Sequence, residues 1–193
     1  MCSRHMSDVI KDLETVSPTL LLSMPQLEDP NFKRSVVLLC QHSAEGAWGL
    51  VLNRPTGQRA AEVVQMDPPL VGDSGLDIWM GGPVEPSRGC ILLGEDPKDP
   101  DALELTPGLF LSGSSRLLRH LLERPPPART RLMMGYAGWG PGQLEAELTQ
   151  SAWLIGDLEL DLVFETDAAV MWETAIRRLG ADPATLQMST GVH

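Results

Sequence analysis

The sequence predicts an α+β fold in a single domain, on three observations. Short apolar, β-branched runs crowd residues 19–55, each bounded by turn chemistry. A long helical recurrence of apolar residues, Ala168 to Leu179, lies near the C-terminus. The chain has 193 residues, the length of one domain with room for a sizeable core. The domain is expected to span 1–193, with 1–14 as a flexible N-terminus and 181–193 as a short tail.

In chain order, residues 1–17 are polar, although Val9, Ile10 and Leu13 suit one helical turn. Leu20 to Met24 is too short for a helix and stops at Pro25. Glu28-Asp29-Pro30-Asn31 is a turn, because Asp and Asn bond the local backbone and Pro fixes φ. Val36–Cys40 and Trp48–Leu52 suit strands buried on both faces. The loop Ser43-Ala44-Glu45-Gly46 between them predicts an antiparallel hairpin, placed in the middle of the sheet. Arg59–Met66 reads as a short helix, ended at Asp67 by Pro68. Leu76–Met80 resumes strand character until Gly81-Gly82-Pro83 breaks it. Cys90–Leu93 and Leu109–Leu111 are further strands, with a loop over 94–101.

Ser112–Ser115 offers cap oxygens for a helix from about Ser114 to Glu123, ended by Pro125–Pro127. Arg131–Tyr136 is a strand. Pro141 suits a first helical position, so a helix is expected from there to about Thr149. Ser151–Gly156 is the next strand. The helix Ala168–Leu179 has Asp167 as N-cap, Arg177 and Arg178 against its C-terminal dipole, and Gly180 beyond its end. One more turn is expected at Pro183–Leu186.

Composition narrows the function. Fifteen Lys and Arg face twenty-six Asp and Glu, giving a net charge of −11. Duplex DNA is bound through a basic stripe that releases counterions, so direct DNA binding is disfavoured. The local basic group Arg116, Arg119, Arg124, Arg129 and Arg131 reads as a solvated helix face followed by a loop. No apolar run approaches the roughly 20 residues that span a bilayer. The N-terminus has no apolar core of a signal peptide. Three cysteines without C-x-x-C spacing support neither a disulfide framework nor a zinc site. The expected location is the cytoplasm.

Few residues carry candidate chemistry. Cys40 and His42, two apart on a strand, are expected to share a face at roughly 6.6 Å. Cys40 sits in an apolar run, where cysteine acts as a small hydrophobe, and no further metal ligands are evident. Asn53 favours a turn; Arg54 suits an anion or a carboxylate of this acidic chain. Gly81-Gly82-Pro83-Val84 and Arg88-Gly89 read as a turn that redirects a strand. Gly135–Gly142 reads as a loop between a strand and a helix, the setting for phosphate at a helix N-terminus. It lacks a Walker lysine, and Glu145 and Glu147 oppose an anion there. The rival reading is a tight turn that packs Trp139 on a neighbouring strand. No G-x-S-x-G elbow and no paired histidines are present.

Several ordered motifs resemble the YqgE/AlgH family. They are Met24-Pro25, Asp29-Pro30, Phe32, Arg34-Ser35-Val36-Val37, Cys40, His42, Gly46, Gly49-Leu50-Val51 and Asn53-Arg54-Pro55. Gly81-Gly82-Pro83-Val84, Arg88-Gly89, Gly135-Tyr136-Ala137-Gly138-Trp139, Gln143-Leu144-Glu145 and Trp153 follow. The resemblance covers roughly residues 15–185. It implies a bifurcated, mostly antiparallel β-sheet folded into a pseudo-barrel with flanking helices. It also implies no established catalytic activity, and at best a regulator, since one family name comes from a proposed role in alginate synthesis.

The expected function is a non-catalytic binding or regulatory module acting through protein partners, with indirect transcriptional regulation as one such role. No catalytic residue, metal or cofactor is assigned. The candidate ligand- or partner-binding residues are His42, Asn53, Arg54, Gly82, Arg88, Tyr136, Gly138 and Trp139. The rival is a small-ligand or phosphate-binding protein, or an enzyme, using Gly135–Gly142 with His42 and Arg54.

Overall fold

The computed structural model describes residues 18–188. The helical turn expected around Val9, Ile10 and Leu13 lies outside them. Ten strands form one sheet: β1 (Thr19–Ser23), β2 (Val36–Ser43), β3 (Gly46–Val51), β4 (Pro55–Arg59), β5 (Asp77–Met80), β6 (Val84–Leu93), β7 (Ala102–Thr106), β8 (Leu109–Ser112), β9 (Thr130–Trp139) and β10 (Trp153–Gly156). The helices are α1 (Ala60–Val63), α2 (Ser115–Glu123), α3 (Gln143–Thr149), α4 (Leu160–Phe164), α5 (Ala168–Arg178) and α6 (Pro183–Met188). The main strand order is β10-β1-β2-β3-β9-β6-β8-β7, with β5 joining β4 to β9 as a branch. Only β5 and β9 pair in parallel; the mostly antiparallel sheet curls into a half-barrel with flanking helices.

The predicted hairpin is the centre of this order. β2 pairs with β3 and is flanked by β1 on its other side. Both strands are buried on both faces, which is why neither alternates polar with apolar. Leu38, Leu50 and Leu52 face a cluster capped by α4 and α5 through Leu162, Val163, Met171 and Trp172. Val37, Leu39 and Val51 face a second cluster under α3, with Trp139, Leu144 and Trp153. A third cluster packs Leu117, Leu121 and Leu122 of α2 against Ile78, Ile91 and Leu132.

The caps of α2 and α5 follow the sequence. Ser114 Oγ accepts from the Leu117 amide at 3.2 Å, and Asp167 Oδ1 accepts from the Ala169 amide at 2.8 Å. Four expectations change. The helix over 59–66 shortens to α1, because the chain is still extended through Arg59 in β4. Arg88 and Gly89 lie within the long strand β6; its register against β9 shifts between Val84 and Gly89, and Glu85 in that stretch holds φ at +47°. Gly135–Trp139 belongs to β9, so the expected strand-to-helix loop does not exist as such. Finally, α3 begins after Gly142, which holds φ at +73°, leaving Pro141 outside the helix.

One crossing decides the architecture. The Gly81 carbonyl accepts from the Val51 amide at 2.8 Å, and the Gly81 amide donates to the Met134 carbonyl at 2.7 Å. Gly81 thus ties β3 to β9 where the branch through β5 departs. A Cβ on Gly82 would lie 2.1 Å from the Tyr136 carbonyl carbon, and one on Gly135 would lie 2.3 Å from the Gly82 oxygen. Two backbones touch here with no side chain between them. Gly138 is different: it is exposed, and its Cβ would meet the Tyr136 ring at 3.4 Å, an ordinary contact.

Two stability measurements check this packing. Leu38→Ala removes a fully buried side chain and should cost roughly 2–5 kcal/mol in urea unfolding. A loss below about 1 kcal/mol would place β2 at the periphery. Gly82→Ala should cost more than about 3 kcal/mol or prevent folding. Gly138→Ala should be neutral or stabilising by up to about 1 kcal/mol. Equal effects at the two glycines would contradict the crossing.

Candidate functional site

The turn before β2, the residues after β3 and the β5–β6 corner meet around a cleft of about 410 Å³. Its walls include Pro30, Pro55, Pro83 and Pro86, with Met80 and Arg54. The four prolines fix their own φ, so the rim is stiff before anything binds. Met80 is 38 % exposed, an adaptable apolar contact in the wall.

Arg54 is the charge in this cleft. Its Nη1 donates to the Asn53 carbonyl at 3.3 Å and its Nη2 donates to the Lys33 carbonyl. Partial burial lowers its pKa, because desolvation penalises the charged form. The expected carboxylate partner is absent among the described residues: backbone carbonyls hold this guanidinium instead. That contrasts with Arg34, Arg59, Arg116, Arg119, Arg129, Arg177 and Arg178, each paired with a carboxylate. Among the described residues the basic group expected around α2 therefore breaks up into ion pairs, apart from the exposed Arg124 and the buried Arg131.

Three sequence candidates gather here. Arg54 and Gly82 line the cleft, and Asn53 stands directly behind Arg54. Asn53 is structural: its Oδ1 accepts from the Val36 amide at 3.0 Å and its Nδ2 donates to the Arg34 carbonyl at 2.9 Å. It fixes the segment that delivers Arg54. Met80 and Pro86 were not singled out in the sequence, and Pro83 was read only as part of a turn. Their only sequence signal is the proline spacing around Gly81-Gly82, which marks a turn rather than a wall.

The remaining candidates lie elsewhere. His42 Nε2 bonds Glu145 Oε1 of α3 at 2.7 Å, and a backbone hydrogen bond, then this pair, lowers the Glu145 pKa. Cys40 and His42 do not share a face. The β2–β3 register slips between Leu39 and Gln41, so Cys40 joins the first core cluster while His42 stands opposite Ala47 of the second. His42 stands opposite Ala47 near the start of β3, whereas Arg54 lies three residues past its end, so the structure does not bring these two together. Trp139 stacks with Phe32 and packs edge-on to Trp153 at 5.9 Å. Glu147 Oε2 accepts from both indoles, at 2.9 and 2.8 Å, so that carboxylate completes a structural network. Tyr136 packs edge-on to Trp48, and burial with the nearby Glu85 raises its phenol pKa. Arg88 pairs with Glu85 at 3.1 Å.

The two described thiols are poorly placed for nucleophilic chemistry. Cys40 and Cys90 are both buried and free. Burial raises both pKa values, that of Cys90 to about 12, and Cys90 raises Cys40 further. Among the described residues, no group of three or more His, Cys, Asp or Glu is placed to hold a metal ion. None of the described helices is long and apolar enough to cross a membrane.

The comparisons with known proteins agree with this fold. A family description, AlgH-like, matches residues 20–184. The UPF0301 protein of Myxococcus xanthus is 41 % identical over 183 residues, covering 94 % of this chain and 100 % of that one. A UPF0301 protein of Ruegeria pomeroyi is 36 % identical over 176 residues, covering 89 % and 96 %. The solution structure of the AlgH protein from Pseudomonas aeruginosa superposes with a TM-score of 0.74 at 33 % identity, covering 96 % of each chain. A crystal structure of a Corynebacterium diphtheriae protein shares the fold, with a TM-score of 0.68 at 20 % identity over 93 % and 95 %.

Thiol accessibility tests the reading of the cysteines. A thiol reagent at neutral pH should leave Cys40 and Cys90 unmodified in the folded protein and label both in denaturant. Stoichiometric labelling of Cys40 without unfolding would restore it as a candidate nucleophile.

Proposed function

The chain belongs to the AlgH-like family, and on that premise we propose that it is a non-catalytic binding module that docks a protein segment in the Arg54 cleft. One observation carries the reading. A half-buried guanidinium without a carboxylate partner among the described residues sits beside exposed Met80 in a proline-stiffened wall. Such a surface suits a segment with one acidic side chain beside an apolar one. The carboxylate would form a charge-assisted pair with Arg54, and the apolar group would cover Met80.

The module acts in the cytoplasm and regulates transcription indirectly, through its partner. The net charge of −11 supports the indirect route, because few cations remain to meet phosphates. The burial of Cys40 and Cys90 and the hydrogen-bonding roles of Asn53, Trp139 and Glu147 support a binding role over chemistry at the same residues.

Arg54→Glu and Met80→Asp, purified in tagged form from native cells beside the parent, test the cleft. Each should reduce the co-purifying partner about tenfold or more while the melting temperature stays near that of the parent. Val71→Asp, at a residue 83 % exposed and outside the cleft, should leave the partner bound. A partner retained equally by both cleft variants would place docking on another surface.

A further inference from the structure

A second cavity, of about 540 Å³, opens between the start of β9, β5 and the start of α5. From its walls we infer that it binds a small organic monocarboxylate with an apolar, preferably aromatic, body.

The cation is Arg131, which is only 5 % exposed. Its guanidinium carbon lies 3.9 Å from the centroid of Trp79 and 5.7 Å from that of Phe164. Nη1 donates to the Leu52 carbonyl at 2.7 Å. Burial lowers its pKa to about 10, so it stays charged at neutral pH. No carboxylate pairs with it among the described residues. Ring faces and one carbonyl are partial compensation for a buried charge, whose usual complement is an anion. The cavity is where an anion can enter, because Arg131 is part of its wall.

A second feature adds positive potential. Residues 166–169, at the start of the eleven-residue helix α5, line the same cavity. The remaining walls set the ligand class. Trp79, Phe164, Leu76 and three prolines provide apolar surface, and the volume falls within the range of about 300–1,000 Å³ usual for small-molecule sites. Asp77 and Asp167 also line the cavity. Asp167 accepts from the Ala169 amide and Asp77 pairs with Arg59 at 3.5 Å, so each has a partner. Their charge still disfavours a dianion more than a monoanion, which selects a carboxylate over a phosphate monoester. This inference is independent of the Arg54 cleft.

The test is a titration of the full chain with 3-phenylpropionate, followed by NMR at the Trp79 indole and the Arg131 side chain. The comparison ligands are 3-phenylpropanol and phenyl phosphate. The acid should bind saturably, with the alcohol about tenfold weaker or more, since one charge-assisted interaction is lost. Phenyl phosphate should bind more weakly than the acid. Asp167→Asn keeps the helix cap and removes a repelling charge, so it should tighten the acid about two- to fivefold. Ala169→Phe, at an exposed wall position, should block the cavity and abolish the shift. Arg131→Met should abolish binding if it folds, and the Asp167 and Ala169 variants decide the matter if it does not. Equal affinity for acid and alcohol, tighter binding of phenyl phosphate, weakening by Asp167→Asn, or no saturable binding at millimolar acid would each overturn the assignment.

Discussion

The fold depends on the contact of two backbones at Gly81–Gly82 and Gly135–Tyr136. A β-carbon at Gly82 or Gly135 would overlap the backbone of the opposing segment. Gly135 also holds φ at +70°, which L side chains rarely adopt. Because the strands touch here, β9 can serve three partners. It pairs with β6 over 130–136, with β5 over 132–134 and with β3 over 137–139. The sheet branches at that point, and the branch turns the β5–β6 corner toward the turn before β2. The Arg54 cleft is the space left at that corner.

Charge follows from the same arrangement. The chain is strongly acidic, and most described arginines meet carboxylates at the surface, where such pairs add little stability. Arg54 and Arg131 differ: Arg54, half-buried between β3 and β4, is held by backbone carbonyls, and Arg131, buried in β9, lies among a carbonyl and aromatic rings. Consecutive residues of β5 serve the two cavities: Trp79 lies beneath Arg131, and Met80 lies beside Arg54. Alternation along a strand sends neighbouring side chains to opposite faces, so the two cavities stand back to back, with Pro55 lining both.

Local patterns were legible in the sequence wherever they were dense. The β2–β3 hairpin, the α2 leucines with Ser114, and α5 with Asp167 all fell where apolar spacing and cap chemistry put them. β7 was missed because Ala102–Thr106 is short and carries Glu104 at its centre. α4 was missed because five residues make too little helical period to read. Gly135–Trp139 looked like a loop because its glycines suggest turns, yet here they permit close strand contact. The bulge at Cys40 leaves no mark in composition, and it alone moves His42 to the other face. At the cleft, Arg54 and Gly82 were legible from their motifs. Met80 was not, because its role depends on a corner that only tertiary contacts define.

Native-state hydrogen exchange at two amides tests the crossing most directly. The Gly81 amide donates to Met134 and the Val51 amide to Gly81. If this contact organises the sheet, both should exchange only through global unfolding, with a protection free energy equal to the stability from urea denaturation. Exchange at either amide through a local opening several kcal/mol below that value would show that the corner moves independently and that the fold does not depend on it.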